Sequence, residues 1–423
     1  MFLIKRQLES INGSFFLFGP RGTGKTMWIR EMFPQAHLID LLDSSVYMSL
    51  SSDPNRLRDI VEGNAQKNTF VIDEVQKVPA ILDVVHQLIE KYKDLSFILT
   101  GSSARKLKRA GADLLAARAL LLTMHPFTAS ELKDSFMLES ALEIGMIPVI
   151  RGSLNPVKAL STYIDLYLRE EIQQEGLVRN LGPFSRFLEA VSFSHGSQLT
   201  ISSISRDCGV PRTTVECFVN ILRDLLLCST VPVFSKRAKR ELVGHEKFYF
   251  FDVGVFRALR PKGPLDHPSE IDGAALEGLV FQNLRAWLDY SGERGGLYFW
   301  RTRGGREVDF VVYAQNEFVA IEVKNAAKLT NEDFSGLKAF KEDYPESRTV
   351  LLYRGKEQYL ANDVLVMPVD AFLLNMVPHA TLPDKGCRRC EAFTEGSLQS
   401  EAECKAGLAT PTTVDELMSA FDE

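Results

Sequence analysis

A segment near the start of the chain combines glycine, lysine and threonine in a fixed spacing. Residues 19–26 read GPRGTGKT and fit the pattern G-x-x-x-x-G-K-[ST] at every required position. An apolar run precedes the segment and a helical pattern follows it. Glycines let the backbone bring its N–H groups close to phosphate oxygens, and the N-terminus of the following helix adds positive partial charge. The pattern therefore predicts a phosphate-binding loop.

The polar residues of this loop predict a nucleotide site. We expect Lys25 to reach the β- and γ-phosphates and the Thr26 hydroxyl to bind Mg²⁺. The alternative, a tight glycine-rich turn without a ligand, requires neither of these two side chains. The residues predicted to contact the nucleotide here are Gly19, Pro20, Arg21, Gly22, Thr23, Gly24, Lys25 and Thr26.

Two later strand patterns end in polar residues. Residues 69–74 read TFVIDE, an apolar strand followed by two carboxylates. We expect Asp73 to hold Mg²⁺ through water and Glu74 to polarise the attacking water; the alternative is a solvated strand end. The next strand, residues 96–100, runs into hydroxyl groups, and Thr100 and Ser102 are candidates to sense the γ-phosphate. An ordinary polar turn is the alternative there.

Together these three segments resemble the core of an AAA+-type ATPase. The resemblance is to bacterial and archaeal ATPases whose C-terminal half is an uncharacterised conserved domain, and it extends to about Met376. It implies a Walker A motif at 19–26, a Walker B motif at 69–74 and a sensor-1 residue among Thr100, Ser102 and Ser103. Similar proteins have a Gly-Arg pair where this chain has Ala117 and Arg118. Arg118 is a candidate contact to the γ-phosphate, in cis or from a neighbouring copy, or else a surface arginine.

The middle of the chain contains a pattern typical of a helix-turn-helix. Helical spacing over 201–208 and 212–227 flanks the turn Gly209-Val210-Pro211. The second helix could enter a major groove, and residues 201–262 carry eleven Lys and Arg against six Asp and Glu. The alternative is a winged-helix fold used only for packing or for a protein partner. The residues predicted to contact DNA are Arg212, Lys236, Arg237, Lys239 and Arg240.

Acidic residues and a lysine cluster in the last third of the sequence. Asp309 lies on one predicted strand, Glu322 and Lys324 share one face of the next, and Glu277 lies on an upstream helix. Such a set could bind Mg²⁺ and activate water. The spacing resembles the PD-(D/E)xK nuclease fold over roughly residues 270–353. Two alternatives remain: the solvated face of an amphipathic strand, or a nuclease-like fold that only binds or docks.

Composition sets the class of protein. The chain has 423 residues, of which 45% are hydrophobic and 25% charged, with a net charge of −6. These values are typical of a globular protein and argue against wholesale disorder and a general polyanion binder. No apolar run reaches the length of a membrane span, and the N-terminus lacks one of signal-peptide length, so we expect a cytoplasmic protein. Cys387, Cys390 and Cys404 form an incomplete zinc pattern, and we predict no zinc there.

These patterns predict an α/β protein with a P-loop, AAA+-like parallel-sheet core, a helical and winged-helix middle, and a C-terminal restriction-endonuclease-like α/β domain. The predicted segments are 1–128, 129–265, 266–378 and an acidic tail over 379–423.

The predicted activity is Mg²⁺-dependent ATP binding and hydrolysis, acting as a nucleotide-driven switch for a C-terminal module that binds DNA or protein. The alternative is an ATP-dependent DNA nuclease. ATP and Mg²⁺ are the predicted cofactors. Double-stranded DNA, a protein partner and further copies of the chain are the candidate partners, and no membrane is expected.

Overall fold

The computed structural model describes residues 4–102, 119–168, 181–236, 240, 244–264, 266–292 and 294–384. Its N-terminal part alternates strands with helices. The strands are β1 (Phe15–Phe18), β2 (His37–Asp40), β3 (Thr69–Asp73), β4 (Ser96–Gly101) and β5 (Leu120–Thr123). The helices are α1 (Lys25–Met32), α2 (Ser44–Ser52), α3 (Arg56–Gly63) and α4 (Ile81–Lys91).

Strands β1 to β5 form a parallel sheet in the order β2-β3-β4-β1-β5. Because parallel strands share a direction, the carboxyl ends of β1, β3 and β4 meet at one edge of the sheet. The predicted strands within residues 69–74 and 96–100 correspond to β3 and β4. Helices α2 and α3 were not predicted, although Leu57, Ile60 and Val61 of α3 have helical spacing. Asp43 begins α2 by accepting hydrogen bonds from the amides of Ser45 and Val46.

The middle of the chain is helical with one small sheet. Its helices are α5 (Ala129–Leu132), α6 (Leu138–Ile144), α7 (Pro148–Arg151), α8 (Pro156–Thr162), α9 (Leu181–Ser192), α10 (Ile201–Cys208), α11 (Arg212–Asp224) and α12 (Val253–Leu259). Strands β6 (Ser197–Gln198), β7 (Cys228–Val231) and β8 (Lys247–Phe250) pair antiparallel in the order β6-β8-β7. A region that the sequence indicates as mostly helical thus contains a sheet around the α10–α11 pair, with β6 before the pair and β7 and β8 after it.

The C-terminal part is a mixed sheet with one long helix. The helices are α13 (Pro268–Ser291), α14 (Ser335–Asp343) and α15 (Val369–Leu374). The strands are β9 (Gly295–Arg301), β10 (Glu307–Ala314), β11 (Phe318–Val323), β12 (Arg348–Tyr353), β13 (Tyr359–Ala361) and β14 (Val364–Pro368). They run in the order β13-β14-β12-β11-β10-β9. Strands β13 and β14 were not predicted, because their short apolar runs lie among turn residues.

The three parts share their apolar cores. One face of the N-terminal sheet packs against Trp28 and Ile29 of α1, and the same cluster includes Ala286 and Tyr290 of α13. A second, larger cluster runs without a break from the middle helices into α13 and the C-terminal sheet. The C-terminal helix therefore contributes to the core of the N-terminal sheet. In the described ranges, no helix combines the length and apolar character that a membrane span needs.

The chain after β7 joins the C-terminal sheet. Val233 forms a parallel bridge with Phe299 of β9, and the Phe234 amide donates to the Phe299 carbonyl at 2.7 Å. The ring of Phe234 is 1% exposed. It contacts the rings of Tyr298, Tyr313, Phe318, Phe340 and Tyr344. Phe234 thus anchors the middle of the chain to the C-terminal part.

Replacing Phe234 with Ala is expected to lower the free energy of unfolding by about 3–5 kcal/mol, because it leaves a cavity inside an aromatic cluster. Urea denaturation measures the change. The control is Leu154→Ala, whose side chain is fully exposed and whose loss should cost less than about 0.5 kcal/mol. Equal effects of the two substitutions would contradict this role of Phe234.

Candidate functional site

The glycine-rich loop connects β1 to α1, and two of its glycines have left-handed backbones. Gly22 has φ 81° and Gly24 has φ 92°, a region that L side chains rarely adopt. A Cβ atom at Gly22 would lie 2.6 Å from Cγ1 of Val149. The loop conformation therefore requires glycine at the two positions where the sequence has it.

Residues outside the glycine-rich loop donate hydrogen bonds to its carbonyl groups. Three of them accept hydrogen bonds: Thr23 O from Arg6 Nη1 (2.7 Å), Gly22 O from the Val149 amide (3.3 Å) and Arg21 O from the Tyr163 hydroxyl (2.9 Å). A peptide group is planar and trans, so its N–H points opposite to its C=O. Fixing the carbonyls outward turns the following amides toward the opposite side, where a phosphate would bind.

The lysine of the loop is folded into it. Lys25 is 7% exposed, and its ammonium donates to the carbonyls of Gly19 (2.6 Å) and Pro20 (3.2 Å). The charge thus lies inside the curve of the loop, at the start of α1. A cation in this position can neutralise phosphate oxygens bound by the same loop.

The end of β3 meets the start of α1, and the end of β4 meets the end of β3. The Thr26 hydroxyl donates to Oδ2 of Asp73 at 2.9 Å, and the Thr100 hydroxyl donates to Oδ1 of the same carboxylate. The chain thereby brings the two predicted magnesium ligands within hydrogen-bond distance of each other. These are hard oxygen donors of the kind that Mg²⁺ prefers.

Glu74 has a strained backbone and a fixed side chain. Its φ is 62°, in the left-handed region that is uncommon outside glycine. Its amide donates to the Thr100 hydroxyl at 3.1 Å, and its carboxylate accepts from the side-chain amide of Gln76. Gln76 also donates to Ser102 Oγ at 3.2 Å. The sequence pattern missed Gln76, although a glutamine two residues after the carboxylate pair was a usable signal.

A buried arginine connects the loop to the other parts of the chain. Arg6 donates to Thr23 in the loop, to the carbonyl of His125 (2.6 Å) and to the hydroxyl of Tyr290 on α13 (3.2 Å). Its Nε donates to Oε1 of Glu131 on α5 at 3.0 Å, and neither side chain is more than 5% exposed. No motif in the sequence predicted a role for Arg6.

Two of the four residues of the predicted nuclease-like site, Glu277 and Asp309, meet at an additional lysine, and the other two pair with each other. Asp309 Oδ2 accepts from the Val323 amide at 2.9 Å, and Lys324 pairs with Glu322 Oε1 at 2.7 Å. Lys247 of β8 lies 3.0 Å from Glu277 Oε1 and 3.2 Å from Asp309 Oδ1. In the described part of the chain, no group of three His, Cys, Asp or Glu side chains is arranged to hold a metal ion.

Burial and like charge shift the protonation of this cluster. Burial, with a contribution from the Asp309 charge, raises the pKa of Glu277 to about 7 and raises that of Glu322 well above its usual range. Burial opposes the charge on Lys247, but the carboxylate of Glu277, with those of Asp309 and Glu307, outweighs it and raises the Lys247 pKa. The lysine therefore remains charged at neutral pH.

The predicted DNA contacts separate into two groups. Arg212 is exposed at the start of α11. Lys236 lies over the Tyr313 ring at 4.1 Å, and Arg240 pairs with Glu342 (2.7 Å) and Asp343 (3.2 Å) of α14. These two cations contact the C-terminal part. Outside the described residues lie Arg237, Lys239, Arg118, Ser103, Cys387, Cys390 and Cys404.

Three family models match parts of the chain. Residues 12–133 match a model described as an AAA domain. Residues 138–266 match a domain of unknown function, DUF8612, and residues 272–372 match another, DUF4143. The chain thus contains an AAA-type ATPase domain followed by two domains of unknown function.

Comparison with individual proteins adds little. No curated protein matches the chain. A solved structure described as replication initiator DnaA bound to AMPPCP and single-stranded DNA is 14% identical, with 51% of this chain and 83% of that chain covered and a TM-score of 0.27. A crystal structure of a Vibrio cholerae protein is 11% identical, with coverage of 90% and 98% and a TM-score of 0.21. With TM-scores this low, nothing further follows from either likeness.

Proposed function

We propose that this protein is a Mg²⁺-dependent ATPase in which nucleotide binding at the glycine-rich loop controls the C-terminal part of the chain. The observation that carries the ATPase proposal is the contact of Thr26 with Asp73 beside the buried ammonium of Lys25. Oxygen ligands for Mg²⁺ and a cation for phosphate are the two requirements of a triphosphate site.

Each polar residue has a role in this proposal. Lys25 neutralises the β- and γ-phosphates, and Thr26 and Asp73 hold Mg²⁺, which when bound draws charge from the phosphate oxygens. Glu74 orients the attacking water and accepts its proton. Gln76 holds the Glu74 carboxylate and links it to Ser102, so a polar residue beyond β4 is positioned to respond to the γ-phosphate.

Arg6 supports the proposed control of the C-terminal part. Arg6 donates both to the Thr23 carbonyl of the loop and to the Tyr290 hydroxyl of α13. Helix α13 also carries Glu277, which belongs to the acidic cluster formed by Glu277, Asp309, Glu322 and Lys324. A change in the loop on nucleotide binding would therefore change the acceptors of a side chain that also holds α13. Transmission through such a shared, buried group requires no long chain of contacts.

The proposal is tested by measuring ATP hydrolysis and nucleotide binding with and without Mg²⁺. Lys25→Ala is expected to lose both activities, because the phosphates lose their buried cation. The matched control is Lys67→Ala. Lys67 lies between α3 and β3, far in sequence from the glycine-rich loop, and its ammonium donates to the Gln35 carbonyl, so its replacement should leave both activities unchanged. Nucleotide binding by Lys25→Ala at the wild-type affinity would reject the site.

A second candidate function is DNA cleavage by the acidic cluster. The convergence of Glu277, Asp309, Glu322 and Lys324 supports it, since the four come from α13 and the β10–β11 region. Cleavage of plasmid DNA in Mg²⁺ or Mn²⁺, with and without ATP, tests it. Activity lost in Asp309→Ala while ATP turnover survives would establish a nuclease. No cleavage with intact ATP turnover would leave the C-terminal part as a docking module.

DNA contact is proposed only through the exposed start of α11, at Arg212. Among the predicted DNA contacts over residues 236–240, Lys236 instead lies over the Tyr313 ring, and Arg240 pairs with Glu342 and Asp343. The alternative is that the switch controls binding of a protein partner.

A further inference from the structure

The acidic cluster is filled by a lysine from a different part of the chain. Lys247 begins β8, and its side chain is 2% exposed. Its ammonium lies within 3.2 Å of three carboxylates: Glu307 Oε1 (2.5 Å), Glu277 Oε1 (3.0 Å) and Asp309 Oδ1 (3.2 Å). Three carboxylate partners use the three N–H bonds of an ammonium group.

The remaining hydrogen bonds fix the carboxylates around that lysine. The Tyr249 hydroxyl, also on β8, donates to Glu277 Oε1 at 2.5 Å, and the Val323 amide donates to the second oxygen of Asp309. Strand β8 therefore supplies both a cation and a donor to acids on α13 and β10. These contacts satisfy the hydrogen-bonding requirements of an ammonium group.

One oxygen in the cluster remains without a partner. Glu322 is 7% exposed, and its Oε2 accepts no hydrogen bond from any described residue, while its Oε1 pairs with Lys324. A buried, unpaired carboxylate oxygen is costly. Asp309 accepts from the amide of Val323, the residue after Glu322, so removal of the lysine would leave neighbouring acids without a cation, which a divalent ion could replace once the carboxylates move.

We propose that Lys247 is the resident cation of this cluster and closes it to divalent metal ions. An ammonium group in contact with Asp309 and Glu277 occupies the space that a metal ion bound by the same oxygens would need, and the two positive charges would repel each other. The inference rests on the site of the second candidate function and is independent of the ATP site. Cleavage at this cluster would require β8 to withdraw Lys247.

Mn²⁺ binding by the nucleotide-free full-length protein tests the proposal, with electron paramagnetic resonance of free Mn²⁺ as the readout. Wild type and Asp309→Asn are expected to bind the same number of ions. Lys247→Met is expected to bind one more Mn²⁺ per chain, and Lys247→Met with Asp309→Asn is expected to lose it. Any ion held near Thr26 and Asp73 contributes equally to all four proteins and cancels.

Two outcomes would overturn the proposal. One is a wild-type Mn²⁺ site that disappears in Asp309→Asn, which would mean that the cluster is already open. The other is a folded Lys247→Met protein that gains no site. Thermal melts followed by circular dichroism establish folding, and Lys247→Arg, which keeps a cation, should gain no ion. Where Lys247→Met does not fold, the comparison of wild type with Asp309→Asn still tests whether the cluster of the native protein is closed to Mn²⁺. Lys25→Ala tests the ATPase proposal separately.

Discussion

ATP turnover is expected to fall by about 10²–10⁴-fold when Glu74 is replaced by Gln, while ATP still binds. The amide keeps the size and the hydrogen-bonding reach of the carboxylate but cannot accept a proton from water. The groups that hold the triphosphate in the proposed site, Lys25 and Thr26, are untouched. A steady-state phosphate-release assay and a fluorescent-nucleotide titration measure the two quantities separately.

The matched control for this prediction is Asp40→Asn. Asp40 ends β2, beside Asp73 at the same edge of the sheet, and caps the Leu42 amide at 2.8 Å. The Asp40→Asn substitution removes a negative charge at a strand end without changing the glycine-rich loop, so ATP turnover should change less than about threefold. Turnover by Glu74→Gln within tenfold of wild type would show that another group orients the water.

Replacing Arg6 with Ala is expected to lower the free energy of unfolding by about 3–5 kcal/mol. The Glu131 side chain that pairs with Arg6 is fully buried, so removal of the guanidinium leaves an uncompensated carboxylate. The Thr23 carbonyl loses its donor as well, and ATP affinity should fall. Arg6→Lys is expected to recover only part of both losses, because an ammonium cannot reproduce the planar fork that reaches Glu131, His125 and Tyr290.

The matched control for Arg6 is a half-exposed pair on the surface. Arg257 contacts Asp272 at 2.8 Å, with side chains 20% and 40% exposed, and Arg257→Ala should cost less than about 1 kcal/mol. Chemical denaturation of both variants gives the comparison. An Arg6→Ala protein as stable as Arg257→Ala, with unchanged ATP affinity, would contradict the role of Arg6.

The N-terminal fold was predictable because its signals are local. Buried parallel strands are short apolar runs such as residues 69–73, and the glycine-rich loop is a contiguous pattern. Polar residues at the ends of parallel strands meet because the strands share a direction. The motif patterns predicted Thr26 and Asp73 as ligands of one Mg²⁺ ion, and the contact of Thr100 with Asp73 was not predicted.

Two of the residues that the sequence missed, Arg6 and Lys247, act across long separations in the chain. Arg6 lies far in sequence from Tyr290, and Lys247 lies far from Asp309. A single arginine or lysine has no periodicity or spacing that identifies its partners. The positive charge around Lys236 and Arg240 pointed to nucleic acid for the same reason, since the acids of α14 that pair with Arg240 are remote in sequence.

Hydrogen exchange of the Glu74→Gln protein, which should hold ATP without hydrolysing it, tests the switch directly when it is measured with and without Mg·ATP. If the nucleotide site controls the C-terminal part, Mg·ATP changes exchange both in residues 12–33 and in α13. The change in α13 should be lost when Arg6→Ala is added, at nucleotide concentrations that saturate both proteins. Changes confined to the N-terminal sheet, with α13 unaffected by Mg·ATP, would contradict a nucleotide-driven switch.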